Sequence, residues 1–168
     1  MPDIYMLVGV PASGKSTWAA ENMSDDMVWV SRDEIRNQLV GLDKGHEKEY
    51  FSKETLVYDT FIDRITAALL AGKDVIADAT HIDSKARSKL MRMVRARGVQ
   101  FDNLIAVVFN LKKDIALERN SKRKGWRRVP DRAIHEMYEK FIAGLRSLPR
   151  EGVNMIIDGL SGEVVYND

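Results

Sequence analysis

Directly after the apolar run Ile4–Val8 the chain reads Gly9-Val10-Pro11-Ala12-Ser13-Gly14-Lys15-Ser16-Thr17. A Gly-x4-Gly-Lys-Ser spacing, with a strand-like segment before it and a helical one after it, fits one local structure: strand, tight glycine loop, helix. Each residue type has a physical reason. The glycines let the backbone turn so that successive N–H groups point inward. The start of the following helix adds partial positive charge. Such a loop cradles phosphate, with Lys15 able to reach the β- and γ-phosphates of a nucleotide and the Ser16 hydroxyl able to ligate Mg²⁺. Gly9, Pro11, Ala12, Ser13, Gly14, Lys15, Ser16 and Thr17 are therefore the candidate nucleotide-binding residues, with Ser16 as metal ligand. Switches, motors and small kinases share this loop. The guanine-reading Asn-Lys-x-Asp is missing, and the strands are too few for a motor.

The rest of the chain alternates strand and helix. Short apolar runs predict strands at 27–30, 74–77, 104–109 and 155–157 after the first. Helices are expected at 15–22, 33–40, 84–97, 113–120 and 130–148, the last opening at Pro130, where a missing N–H costs nothing. Phe51, Val57, Tyr58, Phe61, Ile62, Ile65 and Leu69 recur at helical spacing and predict a long amphipathic helix over 47–71, stopped by Gly72. In the 84–97 helix, Ala86, Leu90, Met93 and Val94 are expected to face inward. The expected fold is α/β: a five-stranded parallel sheet with helices on both faces and a short tail behind the fifth strand. Ligands on such sheets bind at the carboxyl ends of the strands. The glycine loop and the segments after the second and third strands should meet there.

One domain covering residues 1–168 is expected from the length. Hydrophobic and charged fractions of 45% and 30% are those of a soluble globular chain. No stretch approaches the roughly 20 apolar residues of a membrane span. With no cysteine, disulfides and thiolate metal sites are excluded. Nothing before Gly9 reads as a signal peptide, so a cytoplasmic protein with no membrane partner is expected. Net charge is only +1, but its distribution is uneven. Lys85, Arg87, Lys89, Arg92, Arg95 and Arg97 fall in an acid-free stretch, and Arg119, Lys122, Arg123, Lys124, Arg127 and Arg128 form a second cluster. The pattern suggests one positive face, although two solvated helix surfaces would read the same way.

The segment Val30-Ser31-Arg32-Asp33-Glu34-Ile35-Arg36 follows the second strand. Asp33 and Arg36 are three apart and share a helix face. The carboxylate suits orienting a hydroxyl and taking its proton, and the arginine suits holding an anionic group of an acceptor. Ser31 and Glu34 also form a capping box, so the segment equally serves to start a helix. Asp78, Thr80 and His81 end the third strand at the same edge and are candidate acceptor contacts, with Asp78 also placed to support the metal or to orient Arg36. Arg119 to Val129 concentrates cations around Gly125 and Trp126. It reads as a mobile lid that excludes water and supplies charge, with Arg123 and Arg119 as its leading residues. A nucleic-acid-binding loop or a solvated turn would have the same composition. Trp126 could stack on a base or pack locally. His46 and His135 read as helix-surface residues, and Met91, Met93 and Met137 as core filler.

Taken in order, Gly9-to-Trp18, Ser31-to-Arg36, and Arg119-Asn-Ser-Lys-Arg123 followed by Val129-Pro130 resemble the kinase domain of the bacteriophage polynucleotide 5′-hydroxyl kinase family over nearly the whole chain. The resemblance implies a P-loop nucleotide-kinase-like fold with an arginine-rich lid at about 119–129, and transfer of the ATP γ-phosphate to a 5′-hydroxyl of DNA or RNA. It implies Lys15 and Ser16 on donor phosphates and Mg²⁺, Asp33 as general base, Arg36 on the acceptor's 3′-phosphate, and Arg123 as the lid arginine at the transferring phosphate. Two departures stand out. Asp78-Ala79-Thr80-His81 replaces the family's Asp-Thr-Asn, and no Asp-x-Asp-Gly-Thr phosphatase motif is present, so no 3′-phosphatase activity is expected. The altered loop keeps open a DNA-modification kinase acting on a hydroxymethylated base. A small-molecule kinase or a non-catalytic nucleotide-binding module would carry the same phosphate loop. The helical surfaces permit a homo-oligomer without demanding one.

Overall fold

The computed structural model of the protein describes residues 1–41 and 51–168. In chain order it contains β1 (Ile4–Val8), α1 (Lys15–Asn22), β2 (Met27–Ser31), α2 (Arg32–Val40), α3 (Glu54–Leu70), β3 (Asp74–Asp78) and α4 (Ser84–Ala96). Then follow β4 (Leu104–Val108), α5 (Lys113–Ser121), a 3₁₀ turn (Gly125–Arg127), α6 (Asp131–Gly144), a second 3₁₀ turn (Leu145–Arg150), β5 (Met155–Asp158) and β6 (Val164–Asn167). The start of the long helix expected at 47–50, and His46, lie outside the described residues. None of the described helices is long and apolar enough to cross a membrane.

The sheet runs β2-β3-β1-β4-β5-β6. The first five strands are parallel, as expected, and β6 is an addition that pairs antiparallel with β5. Where a five-stranded sheet and a tail were expected, Asp158 closes a hairpin: its carboxylate accepts from Leu160 N at 2.8 Å and its carbonyl from Gly162 N at 2.7 Å. β6 escapes a burial-based reading because Val164 and Val165 remain exposed on the sheet edge.

Alternation along β1 divides the interior into two layers. Ile4, Met6 and Val8 join Val75, Ala77, Leu104 and Ala106 in the larger core, closed by Phe61, Ile62 and Ile65 of α3 and Leu90 and Val94 of α4. Leu7 points the other way, to a smaller core with Ile76, Ile105, Val107, Ala19 and Phe109. The inward face of α4 keeps Leu90 and Val94, as expected, but is rotated toward Arg87 and Met91. Arg87, Leu90, Met91 and Val94 are its buried residues, and Ala86 and Met93 are only partly covered. Arg87 tolerates burial because it is fully engaged: it donates to Glu151 at 2.9 Å, to the His81 carbonyl at 2.9 Å and to the Gly144 carbonyl at 2.8 Å. It therefore leaves the basic face to its neighbours.

Candidate active site

The chain leaves β1 in the centre of the sheet, moves outward to β2, and returns through β3 before crossing to β4. This puts a crevice at the carboxyl end of β1. The glycine loop fills it. Ala12 and Gly14 have positive φ of 64° and 101°, the turn that points backbone N–H groups inward. A side chain at Gly9 would put its Cβ 2.7 Å from Ser13 Oγ and 3.1 Å from Phe109 Cβ, so a larger residue would push the loop apart. Ser13 Oγ is buried in the loop without a hydrogen-bond partner among the described residues. Lys15 Nζ donates to the carbonyls of Val10 (2.8 Å) and Gly9 (3.1 Å) and folds back over the loop.

Two carboxylates line the cleft with the loop, Asp78 from the end of β3 and Asp33 from the start of α2, just after β2. Ser31 and Asp78 are register partners at the strand ends. Asp78 is buried; its Oδ2 accepts from Trp29 Nε1 at 3.0 Å and from Ser16 Oγ at 3.4 Å. Burial pushes its pKa up, against the pull of Lys15 and the Trp29 bond. Burial likewise pushes Lys15 down, opposed by Asp78 and then Asp33.

Asp33 sits in the first turn of α2. Ser31 caps that helix by accepting from Glu34 N at 3.2 Å, so the cap aims the aspartate rather than competing with it. Arg36 donates to Asp33 at 2.6 Å. Arg36 is itself buried and is held by Glu54, which takes its Nε and, at 3.0 Å, its Nη2. Arg32 reaches the same carboxylate at 2.9 Å. Burial pushes Glu54 upward, but the Arg36 and Arg32 contacts outweigh it and hold its carboxyl below the ordinary value. Sequence reasoning missed Glu54. The only signal was its place in an acidic stretch.

The basic segment lines one side of the cleft through Arg123, Trp126 and Arg127. The Arg119 guanidinium comes within 3.7 Å of the Cβ position of Gly14. Arg123 is half-buried, and burial lowers its pKa against the field of Asp33. Arg127 lies over the Trp126 ring at 5.0 Å and approaches Glu34 at 3.8 Å, while Trp126 also lines the cleft. Buried Asn120 pins both ends of the segment. It donates to the Val129 carbonyl at 2.7 Å and accepts from Val129 N at 3.1 Å. Asn120 falls inside the Arg119-to-Arg123 motif, but nothing in the sequence marked this role.

Together these walls enclose a cleft of about 740 Å³ lined by Pro11, Ala12, Gly14 to Thr17, Asp33, Arg36, Glu54, Asp78, Thr80, Arg123 and Trp126, among others. This is the size of a small-ligand site. His81 is not among the lining residues. A left-handed φ of 43° turns it inward, where it is buried with Nδ1 2.7 Å from the Leu7 carbonyl and its ring 6.2 Å from that of Phe61. Burial above all lowers its pKa to about 4.

Among solved structures, a chain of the Pnkp1/Rnl/Hen1 RNA repair complex is 25% identical, with a TM-score of 0.72 over 87% of this chain and 46% of that one. A second structure of the Pnkp1/Rnl/Hen1 complex gives 24% identity and a TM-score of 0.51 over 70% and 38%. The protein thus spans less than half the length of these two. The tunicamycin resistance protein of Deinococcus radiodurans shares the fold at 16% identity, with a TM-score of 0.60 over 97% and 89% of the chains. The AAA domain family matches residues 4–158. The chain belongs to that family, as an α/β domain built around a phosphate-binding loop.

Proposed function

We propose that the protein is a polynucleotide kinase that transfers the γ-phosphate of ATP to a 5′-hydroxyl of DNA or RNA. The observation that carries this reading is the Asp33–Arg36 pair, a carboxylate and a guanidinium 2.6 Å apart on the wall facing the phosphate loop. The 25% identity to a chain of an RNA repair complex supports the acceptor class.

The loop suits a nucleotide's phosphates: the Ser13 hydroxyl, without a hydrogen-bond partner among the described residues, and the left-handed turns at Ala12 and Gly14 form a cradle for an anion. Among the described residues no group of three or more His, Cys, Asp or Glu could hold a metal. Ser16, with Asp78 behind it, would instead hold Mg²⁺ that keeps phosphate and water ligands, which is how this ion binds. Bound there, the ion would neutralise charge on the donor phosphates. Lys15 needs only to exchange two carbonyl partners for phosphate oxygens.

In the transfer, the acceptor hydroxyl oxygen forms a bond to the γ-phosphorus as the bond from that phosphorus to the β–γ bridging oxygen breaks. The bonding pair leaves with ADP, and the hydroxyl proton passes to Asp33. Arg36 orients Asp33 and holds the acceptor's neighbouring phosphate, while Arg123 and Arg119 close from the lid and offset charge on the donor. Thr80 lines the acceptor side, and Asp78 acts through Ser16. His81 supports β1 from within.

The test is γ-labelled Mg-ATP offered with 5′-hydroxyl DNA and RNA oligonucleotides, a blocked-end hydroxymethylated duplex, nucleosides and sugars. Label should appear at free 5′ ends. Asp33→Asn should lower kcat by about 10²–10⁴-fold with the fold intact. Label confined to the blocked duplex, to nucleosides or to sugars would refute the assignment.

A further inference from the structure

The acceptor wall of the cleft continues through one aromatic ring onto the exposed face of α4. Arg32 lines the cleft and places its guanidinium carbon 5.1 Å from the centroid of Tyr58. Lys89 of α4 places its ammonium 4.1 Å from the same centroid. Burial raises the Tyr58 phenol, and the charges of Arg32 and Arg92 act on it in the opposite sense. Tyr58 is itself buried, so it works as a fixed post between two cationic surfaces.

Lys85, Lys89 and Arg92 follow one another at four- and three-residue spacing and form a single exposed stripe along α4. Arg95 extends it, and by the rise of an α-helix the four span about 15 Å. The other cations of this region are already committed: Arg87 to Glu151 and Arg97 to Asp63. No carboxylate among the described residues pairs with Lys85, Lys89, Arg92 or Arg95. A solvated helix usually interleaves signs, whereas α4 carries no acid at all. Its like charges repel unless something anionic lies along them.

We propose that Lys85, Lys89 and Arg92 form a backbone track for a single-stranded polynucleotide, which runs from its reacting end at Asp33 over Arg32 and Tyr58 onto α4. This rests on the reading of the acceptor as a polynucleotide. It adds that the protein grips the strand beyond the reacting nucleotide, by phosphate charge and without base readout.

The test compares wild type with K85Q/K89Q/R92Q, using as acceptors a dinucleotide and a single-stranded dodecanucleotide, both with 5′-hydroxyls. Binding of a labelled, 5′-phosphorylated dodecanucleotide is followed separately by fluorescence anisotropy across a salt series. At about 0.7 log units of salt dependence per neutralised single-strand phosphate, losing three contacts lowers the salt slope by about 2 and weakens binding on the order of 50-fold near 0.15 M salt. The KM for the long acceptor should rise in step, while kcat and the dinucleotide KM stay unchanged. A control triple, K112Q/K140Q/R150Q, should leave all of these as in wild type, and urea midpoints should show both variants folded.

An unchanged salt slope and long-acceptor KM in K85Q/K89Q/R92Q would overturn the track, as would an equal loss on the dinucleotide or in the control. If the wild type phosphorylates no oligonucleotide yet binds the long one in a stripe-dependent way, the reaction assignment falls and the track stands. If it phosphorylates both lengths with one KM, the reaction stands and the track falls. If it binds no oligonucleotide, both fall.

Discussion

Replacing Glu54 by Gln keeps the shape of the side chain and removes the charge that gathers Arg36 and Arg32 at the cleft wall. Arg36 is 6% exposed, so its two bonds to Glu54 are charge-assisted and shielded from water. Depriving a buried guanidinium of that partner costs about 2 kcal/mol, below the 3–5 of a fully buried pair because Glu54 is itself partly solvated. The Arg32 pair is 31% and 30% exposed on its two sides and adds about 0.5 kcal/mol. Glu54 is also the first residue of α3, where an anion gains about another 0.5 kcal/mol from the helix N-terminus. The loss comes to about 3 kcal/mol, or a fall of roughly 6–12 °C in Tm for a chain of this size. The sign with pH follows from the lowered carboxyl of Glu54. A depressed carboxylate stabilises the fold fully above its unfolded pKa of about 4.3 and stops doing so as pH falls through the folded value. Urea titrations of wild type and E54Q should therefore differ by about 3 kcal/mol at pH 7, and the gap should close as both are acidified. A difference under about 1 kcal/mol at pH 7 would refute the argument. So would a gap that persists into acid, which would mean that packing, not charge, holds Arg36.

Lys15→Met should lower kcat by about 10²–10³-fold, as loss of one preorganised donor does. Its urea midpoint should stay within error, because burial already works against the Lys15 charge and, among the described residues, its bonds are to the Gly9 and Val10 carbonyls. A large drop in stability would show Lys15 to be structural. Gly159→Ala would bring a Cβ to 2.5–2.7 Å from the buried Phe109 ring, and should cost about 1–3 kcal/mol by overpacking. An unchanged midpoint would contradict the closeness of the two. His81 has a folded pKa of about 4 against an ordinary 6.5. The unfolded chain therefore takes the proton first, and stability should fall by roughly 3 kcal/mol between pH 7 and 4. A ring resonance that titrates above pH 6 in the folded protein would contradict this.

What was legible in the sequence is what short-range geometry decides. The phosphate loop is set by glycines and a serine within nine residues, and the Asp33–Arg36 pair by one helical turn, so both appear in the structure as their spacing implies. The five parallel strands were equally plain, because a strand buried on both faces must be apolar throughout. Illegible were the contacts whose partners lie far along the chain. Arg87 read as surface charge because its partner Glu151 is 64 residues away. The Arg36 partner Glu54 lies 18 residues on, in a different helix. In both cases the sequence shows a cation but not its desolvation, and desolvation separates a surface charge from a structural one. His81 failed for a local reason: one left-handed residue after Thr80 reverses the side chain's direction, and a histidine gives no warning that it will adopt that turn. The same reasoning lends weight to the unpaired stripe on α4. Arg87 and Arg97 of the same basic cluster proved to be engaged by distant carboxylates, whereas Lys85, Lys89 and Arg92 stay exposed with no carboxylate partner among the described residues after the fold has brought such distant groups together. Charge that folding leaves unmatched, at the end of a continuous path from the cleft, is what an extended anionic substrate can use.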